Sequence, residues 1–336
     1  MGNGRVWLEA ARPKTLPAAV APVLLGSGAA GAVGAFELLP ALICLAFALL
    51  IQIGTNFAND YLDARSGADR AERAGPARAV ASGAVAPGVM RGAAVGTLAL
   101  AFAVGLGLIP FGGWWLLGVG VASVACAWLY TGGPYPLAHN GLGDVFVVLF
   151  IGLVAVGCTF YVQTGTIGAE IVWLGLGCGL LTNNILVVNN YRDAPEDAEV
   201  GKRTLVVRFG RGWALRQYAL SVAVAGGVVL WFLWRGYGWP VAGAFVPLVA
   251  AVRQIPRLAR AERPEDYLAA LRVSGRVVAG YGVLFAAALA IGNGAEKGSG
   301  KPEAALGNGM DFAAFLIDTR PIPVDGADAS PEFPQP

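Results

Sequence analysis

Long apolar segments recur along the chain and are separated by shorter polar connections. Most are close to the ~20 residues that an α-helix needs to cross a bilayer core. They are continuously apolar instead of alternating with period two, which predicts helices rather than the strands of a membrane barrel. The pattern therefore predicts about nine transmembrane helices, over residues 16–36, 39–57, 89–109, 114–130, 145–162, 171–190, 214–234, 240–255 and 273–292.

The composition is also that of a chain embedded in a membrane. Hydrophobic residues make up 56% and charged residues only 14%, whereas about a quarter of the residues of a soluble domain are charged. We therefore predict an all-α fold, a polytopic membrane bundle around a central cavity, with residues 1–292 as its membrane-embedded domain. Residues 293–336 are rich in Gly, Pro and acidic residues, which predicts a disordered tail.

Basic residues cluster before the first segment and in the connections after the second, sixth and eighth segments. The positive-inside rule places the N-terminus and these connections in the cytoplasm, so we expect a multi-pass protein of the inner (plasma) membrane. The first segment is followed at once by another spanning stretch, which favours an uncleaved helix over a signal peptide. Because the basic clusters orient the chain, its net charge of +2 carries no nucleic-acid signal.

The cysteines and the histidine limit the chemistry that the chain can perform. His139 is the only histidine, which argues against a histidine-based metal site or a Ser/His/Asp triad. The cysteines fall inside predicted spans without paired spacing, which predicts inert apolar side chains rather than disulfides or metal ligands: Cys44, Cys126, Cys158 and Cys178.

Two polar corners of the sequence resemble each other. Residues 59–63 read NDYLD at the end of the second predicted helix, and residues 189–193 read NNYRD at the end of the sixth. They lie four helices apart on the same predicted face of the membrane, and each opens into a long polar connection. A five-residue match can arise by chance, but the equivalent placement favours an internal duplication of a four-helix unit, which would bring the corners together across a central cavity.

Helical spacing groups the polar side chains of each corner. In the first corner Asn56, Asp60 and Asp63 share one helix face, Asn59 lies beside Asp63, and Asp69 follows past a glycine.

In the second corner Asn189, Asp193 and Asp197 are spaced by four. We expect Pro195 to end the helix before Asp197, which places Asp197 in a loop that folds back.

Carboxylates gathered at one face repel one another unless a cation lies between them. Mg²⁺ is the natural ion, because it takes one or two carboxylates and completes its octahedron with water and phosphate oxygens. The predicted metal ligands are Asp60, Asp63, Asp69, Asp193 and Asp197. Neighbouring cations could complete a clamp for a phosphate ester: Arg12, Lys14, Arg73, Arg78, Lys202 and Arg203.

Taken singly, Asp, Asn and Arg at the ends of membrane helices are often only solvated interface residues. Carboxylates alone could also bind calcium or a proton, and bases alone could bind lipid headgroups. The two similar corners, with Asp69 and Asp197 beyond them, favour a binding site over solvated interface residues. Tyr130 could serve either the site or the membrane interface as an anchor.

Several ordered motifs resemble the UbiA superfamily of intramembrane prenyltransferases, and within it the branch that acts on 1,4-dihydroxy-2-naphthoate in menaquinone synthesis. The resemblance covers about residues 7–292, and Asp144 stands where glutamate is more often expected. The motifs are ARPKTLP at 11–17, NFANDYLD at 56–63 with Gly67 and Asp69, GP at 75–76 with Arg78, YTGGPYP at 130–136, GLGD at 141–144, NNYRD at 189–193 with Asp197, and GKRTL at 201–205.

The resemblance implies that two Asp-rich motifs bind Mg²⁺ and an isoprenyl diphosphate. Residue by residue, this role falls on Asn59, Asp63 and Asp69 in the first motif and on Asp193 and Asp197 in the second, while Asp60 and Asn189 assist. It implies that the diphosphate leaves, that an allylic cation remains, and that an electron-rich ring attacks it. In the dihydroxynaphthoate branch the ring carbon loses carbon dioxide as it gains the polyprenyl chain.

The sequence leaves alternatives open. Other acceptors of the superfamily are 4-hydroxybenzoate, homogentisate, heme or a chlorophyll precursor, and some relatives cyclise the diphosphate. A cation-coupled transporter or a magnesium channel is a candidate of another class, although the acids cluster at one face and the spans contain almost none. The expected partners are a polyprenyl diphosphate, a small aromatic acceptor and the lipid bilayer, and the sequence does not indicate an oligomeric state.

Overall fold

The computed structural model describes residues 3–67 and 78–296, and in these two ranges the chain forms a bundle of ten principal helices. Short helical turns connect them at Pro13–Thr15, Ile109–Gly112, Ala138–Asn140, Leu205–Phe209 and Trp239–Ala244. The principal helices are α1 Asn3–Ala11, α2 Pro17–Ala32, α3 Leu38–Ser66, α4 Pro87–Leu106, α5 Trp115–Leu129, α6 Gly143–Thr164, α7 Ala169–Glu199, α8 Arg211–Trp234, α9 Phe245–Ala259 and α10 Pro264–Glu296.

The predicted membrane bundle is confirmed, although the count of nine spans is approximate. Within the described ranges, seven helices are long and apolar enough to cross a membrane. The segments Gly4–Thr15 and Pro17–Ala32 are bent by 48° relative to each other at Leu16. They make an eighth span if the bent pair is taken as one. The remaining predicted span corresponds to α5, which is apolar but has only 15 residues. The protein is therefore a multi-pass membrane protein.

Helix α7 lies at the centre of the bundle, where small residues let the backbones of neighbouring helices approach closely. A Cβ atom on Gly152 of α6 would lie 2.6 Å from the carbonyl oxygen of Gly175 and 2.7 Å from Cα of Gly179. Gly175 and Gly179 are spaced as in the small-xxx-small pattern of membrane helix pairs. These three glycines therefore serve the close packing of α6 against α7.

Helix α6 is not a regular α-helix along its whole length. Residues Val147–Val154 form a π-helix between α-helical ends. Such π segments are rare in proteins, and those that occur are often found at functional sites. In this chain the π segment faces the cavity described below.

Helix α7 continues through Pro195 to Glu199, so the prediction that Asp197 lies in a loop was wrong. A proline removes one backbone donor, but here the last turn is closed by other bonds: Lys202 N donates to Asp197 O at 2.9 Å, and Val200 N donates to Glu196 O at 3.2 Å. Asp193 and Asp197 are therefore one turn apart on a single helix.

Helices α3, α5 and α7 end on the same side of the bundle, which we call the motif end. Two connections meet there, because Arg203 N donates a hydrogen bond of 2.6 Å to His139 O. Helix α10 continues to Glu296, past the predicted end of the membrane domain at residue 292. The rest of the predicted tail, residues 297–336, lies outside the described residues.

Candidate active site

Asp63 belongs to the last turns of α3 and lies at the centre of the motif end. Its carboxylate is almost completely buried and three cationic or ionisable groups surround it. His139 Nε2 lies 3.1 Å from Oδ1, Arg78 Nη2 lies 3.8 Å from Oδ2, and Lys202 Nζ lies 3.9 Å from Oδ1. A buried carboxylate is tolerated when it is paired in this way.

Lys202 joins the two predicted corners. Its Nζ lies 3.1 Å from Asp197 Oδ1 on α7, in addition to its contact with Asp63 on α3. One ammonium group therefore stands between carboxylates that are far apart in sequence. The structure brings the two corners together as predicted, while their origin by duplication stays a prediction.

Asp193 is held by its own neighbour. Arg192 donates from Nε to Asp193 Oδ1 at 2.6 Å and from Nη2 to Oδ2 at 2.8 Å, and both residues are buried. This bidentate pair fixes the orientation of the carboxylate one turn from Asp197.

Asp60 has a different environment from the other acids of the first corner. Its two oxygens accept hydrogen bonds of 3.0 Å from the backbone amides of Ala79 and Val80, and its exposed fraction is 2%. In this structure Asp60 holds the chain that leads back into the bundle, and its role as a metal ligand stays a prediction.

The asparagines of both corners face the interior of the bundle. Asn59 Oδ1 accepts a short hydrogen bond from Thr131 Oγ1. Asn56 Nδ2 donates to Ala11 O at 2.9 Å, and Asn189 Nδ2 donates to Ile185 O in its own helix at 3.1 Å.

The basic residues predicted to bind an anion are spread over different places. Arg78 and Lys202 contact Asp63. The side chains of Lys14 and Arg203 are exposed, and Arg12 lines the cavity. Asp69 and Arg73 lie outside the described residues.

A cavity of about 300 Å³ begins at the motif end and extends into the bundle. Its polar end is lined by Arg12, Asn56, Asn59, Tyr130 and Asn189. The opposite end is apolar, with Cys44, Phe47, Leu108, Leu116 and Val119 on its walls. The residues of α3 on the wall run from Asn59 to Cys44, which at 1.5 Å per residue is roughly 22 Å, most of the thickness of a bilayer core.

Sequence reasoning missed two residues of the site. His139 was considered only as a metal ligand or part of a triad, whereas the structure places it against Asp63. Thr131 contacts Asn59. Both lie in or beside the YTGGPYP motif, and the position of that loop on the same face as the two corners was the available signal.

The described residues contain no group of three His, Cys, Asp or Glu side chains close enough to hold a metal ion by themselves. The chemistry of the donors nevertheless fits Mg²⁺. Asp63 and Asp197 present carboxylate oxygens to the same cationic position, which Lys202 Nζ takes in this structure, and Mg²⁺ usually binds one or two carboxylates and takes its other ligands from water and phosphate.

The fold and the site together define a class of protein: an intramembrane enzyme whose acid–base cluster stands at the mouth of an apolar cavity. Comparison with known proteins supports this class. The chain belongs to the UbiA prenyltransferase family, whose family model matches residues 19–275.

Similar proteins cover most of the chain. A Mycobacterium tuberculosis protein named 1,4-dihydroxy-2-naphthoate octaprenyltransferase is 38% identical over 296 residues, which is 87% of this chain and 99% of that protein. An Escherichia coli protein of the same name is 39% identical over 223 residues, 64% of this chain and 72% of that protein. The structure of a UbiA homolog from Archaeoglobus fulgidus bound to GPP and Mg²⁺ matches with a TM-score of 0.60 at 13% identity, over 83% of this chain and 99% of that one, which supports the fold alone.

Proposed function

We propose that this protein transfers a polyprenyl chain from polyprenyl diphosphate to 1,4-dihydroxy-2-naphthoate, with loss of carbon dioxide, and so forms demethylmenaquinol, the reduced form of demethylmenaquinone. The observation that carries the proposal is the meeting of both Asp-containing corners at the mouth of an apolar cavity. The names of the relatives from M. tuberculosis, Mycobacterium leprae and Bacillus subtilis support the naphthoate as the acceptor.

The diphosphate binds at the motif end. Asn59, Asp63, Asp193 and Asp197 would hold Mg²⁺, and Lys202 and Arg78 would contact the phosphate oxygens. When bound, Mg²⁺ neutralises charge on the diphosphate and so makes it a better leaving group. Lys202 and Arg78 already lie beside Asp63, so positive charge is present at the place where the departing diphosphate must be stabilised.

The polyprenyl chain lies in the apolar part of the cavity. Its walls exclude water from the allylic cation, which would otherwise be captured by hydrolysis. A chain too long for the cavity extends into the surrounding lipid. We also propose that the motif end faces the cytoplasm in the inner (plasma) membrane, since the basic connections lie on that side.

The full-length protein in detergent or liposomes should convert dihydroxynaphthoate and a polyprenyl diphosphate into a prenylated naphthol in Mg²⁺, and should stop after chelation with EDTA. Restoring Mg²⁺ should restore the rate, because the paired carboxylates need a divalent ion to accept a diphosphate. In competition with an equal concentration of 4-hydroxybenzoate, the naphthoate should be the acceptor used. Equal use of both acceptors, or an unchanged rate in EDTA, would contradict the proposal.

A further inference from the structure

Arg12 has an unusual backbone conformation. Its φ of 52° and ψ of 67° lie in the left-handed region, and among the described residues it is the only non-glycine residue with a positive φ. Such a conformation is costly for a residue with a Cβ, and it persists only when its surroundings hold it. Strain of this kind is concentrated at ligand sites.

The surroundings that hold Arg12 are visible. Asn56 Nδ2 donates to Ala11 O at 2.9 Å and to Thr15 Oγ1 at 3.2 Å, and so contacts the chain on both sides of Arg12. Thr15 in turn donates from Oγ1 to Arg12 O at 2.9 Å, and its backbone amide donates to the same carbonyl at 2.9 Å. Asn56 is 3% exposed, so this clamp is built into the interior of α3.

The clamp places Arg12 on the wall of the cavity. Within the part of the chain that the structure describes, it is the only charged residue among those that line this cavity, and it lies at the polar end. Arg78 and Lys202, which contact Asp63, are not part of the lining. The positive charge at the motif end is therefore divided between a cluster at the mouth and one guanidinium inside.

We propose that Arg12 binds the carboxylate of the aromatic acceptor, and that Asn56 and Thr15 are positioning residues that hold it in its strained conformation. The inference rests on the proposed function, which supplies an acceptor with a carboxylate. An ionised carboxylate enters an apolar cavity only where a cation receives it. A planar guanidinium also fixes the orientation of a carboxylate through two parallel hydrogen bonds.

Binding of the acceptor carboxylate by Arg12 orients the ring and so determines which ring carbon reacts. The C1–O bond of the donor breaks with its electron pair going to the diphosphate, and a π pair of the ring forms the new C–C bond at the carbon that carries the carboxylate. The bond to the carboxylate then breaks, its electron pair returns to the ring, and carbon dioxide leaves. No proton is required, because the acceptor enters ionised. Arg12 therefore acts on binding and orientation, and the acceptor KM should respond more than kcat.

Arg12→Gln should raise the acceptor KM on the order of 10- to 100-fold, the range for losing hydrogen bonds to a charged group, while the donor KM changes little. Arg5→Gln is the matched control: it removes a positive charge from α1, where Arg5 forms an exposed pair with Glu9 outside the cavity, and both KM values should be retained. Thr15→Val should raise the acceptor KM by about 2- to 10-fold, and Thr15→Ser, which keeps the hydroxyl, should restore it.

A second measurement does not depend on the folding of a variant. The inhibition constant of 1,4-dihydroxynaphthalene, which lacks the carboxylate, should be on the order of 10-fold or more above that of a carboxylated naphthoate inhibitor for the unaltered protein. In Arg12→Gln this difference should disappear. A rise in the donor KM rather than the acceptor KM, or equal inhibition by both compounds in the unaltered protein, would overturn the inference. Failure of the proposed function is distinguishable, since the unaltered protein would then not prenylate the naphthoate at all.

Discussion

Asp63→Asn is expected to lower kcat/KM for prenyl transfer on the order of 10³-fold while leaving the fold intact. The substitution keeps the size of the side chain but removes the negative charge that His139, Arg78 and Lys202 surround. With that charge absent, the first corner loses a carboxylate ligand for Mg²⁺, and Lys202 loses its contact with Asp63 while it keeps its pair with Asp197. Removal of one preorganised electrostatic group at a reacting centre typically costs 10²- to 10³-fold in rate.

The control for this variant is Asp266→Asn. Asp266 is hydrogen-bonded to Arg263 in an exposed pair at the start of α10, away from the cavity, and exposed pairs contribute little to stability. Steady-state kinetics at saturating Mg²⁺ measure the effect, and the thermal unfolding midpoint in detergent checks the fold. If Asp63→Asn retained the rate of the Asp266→Asn control, Asp63 would not belong to the diphosphate site.

Cys126→Trp should reduce prenyl transfer at least on the order of 10²-fold with donors of every chain length. Cys126 lies on the cavity wall one helical turn from Tyr130, close to the polar end. An indole at this position would displace the reacting end of any donor, and a displacement of about 1 Å at the reacting atoms can cost 10²-fold. Rates with dimethylallyl, geranyl and octaprenyl diphosphate measure the effect.

Two further variants of α5 give this prediction its control. Val119 lines the same wall seven residues before Cys126, about 10 Å deeper along the helix. Val119→Trp should therefore spare the dimethylallyl donor and impair the octaprenyl donor. Val121 is 53% exposed and faces away from the cavity, so Val121→Trp should leave all three rates unchanged. Equal loss with every donor in Val119→Trp would show that the chain does not follow this wall.

The bundle and the two corners were predictable because their signals are local in sequence. Continuous apolar segments of spanning length define the helices, and the NDYLD and NNYRD sequences stand where two of them end. Their equal placement on one face was enough to predict that the two corners approach each other, which the contacts of Lys202 with Asp63 and Asp197 confirm.

The remaining features depend on tertiary contacts that no local pattern encodes. Helix α7 passes through Pro195 because bonds to residues beyond the helix close its last turn. His139 approaches Asp63 because the backbone of its loop is bonded to Arg203. The left-handed conformation of Arg12 depends on Asn56, which donates hydrogen bonds to Ala11 and Thr15, 45 and 41 positions away in the chain.

The naphthoate is expected to lose its carboxylate at the carbon that receives the polyprenyl chain. The most direct test uses dihydroxynaphthoate labelled with ¹³C in the carboxyl group, an octaprenyl donor and Mg²⁺, with the released carbon dioxide and the prenylated product both measured by mass spectrometry. We expect equimolar amounts of labelled carbon dioxide and unlabelled demethylmenaquinol. A prenylated product that retains the labelled carboxyl group, or diphosphate release without a prenylated naphthol, would contradict it.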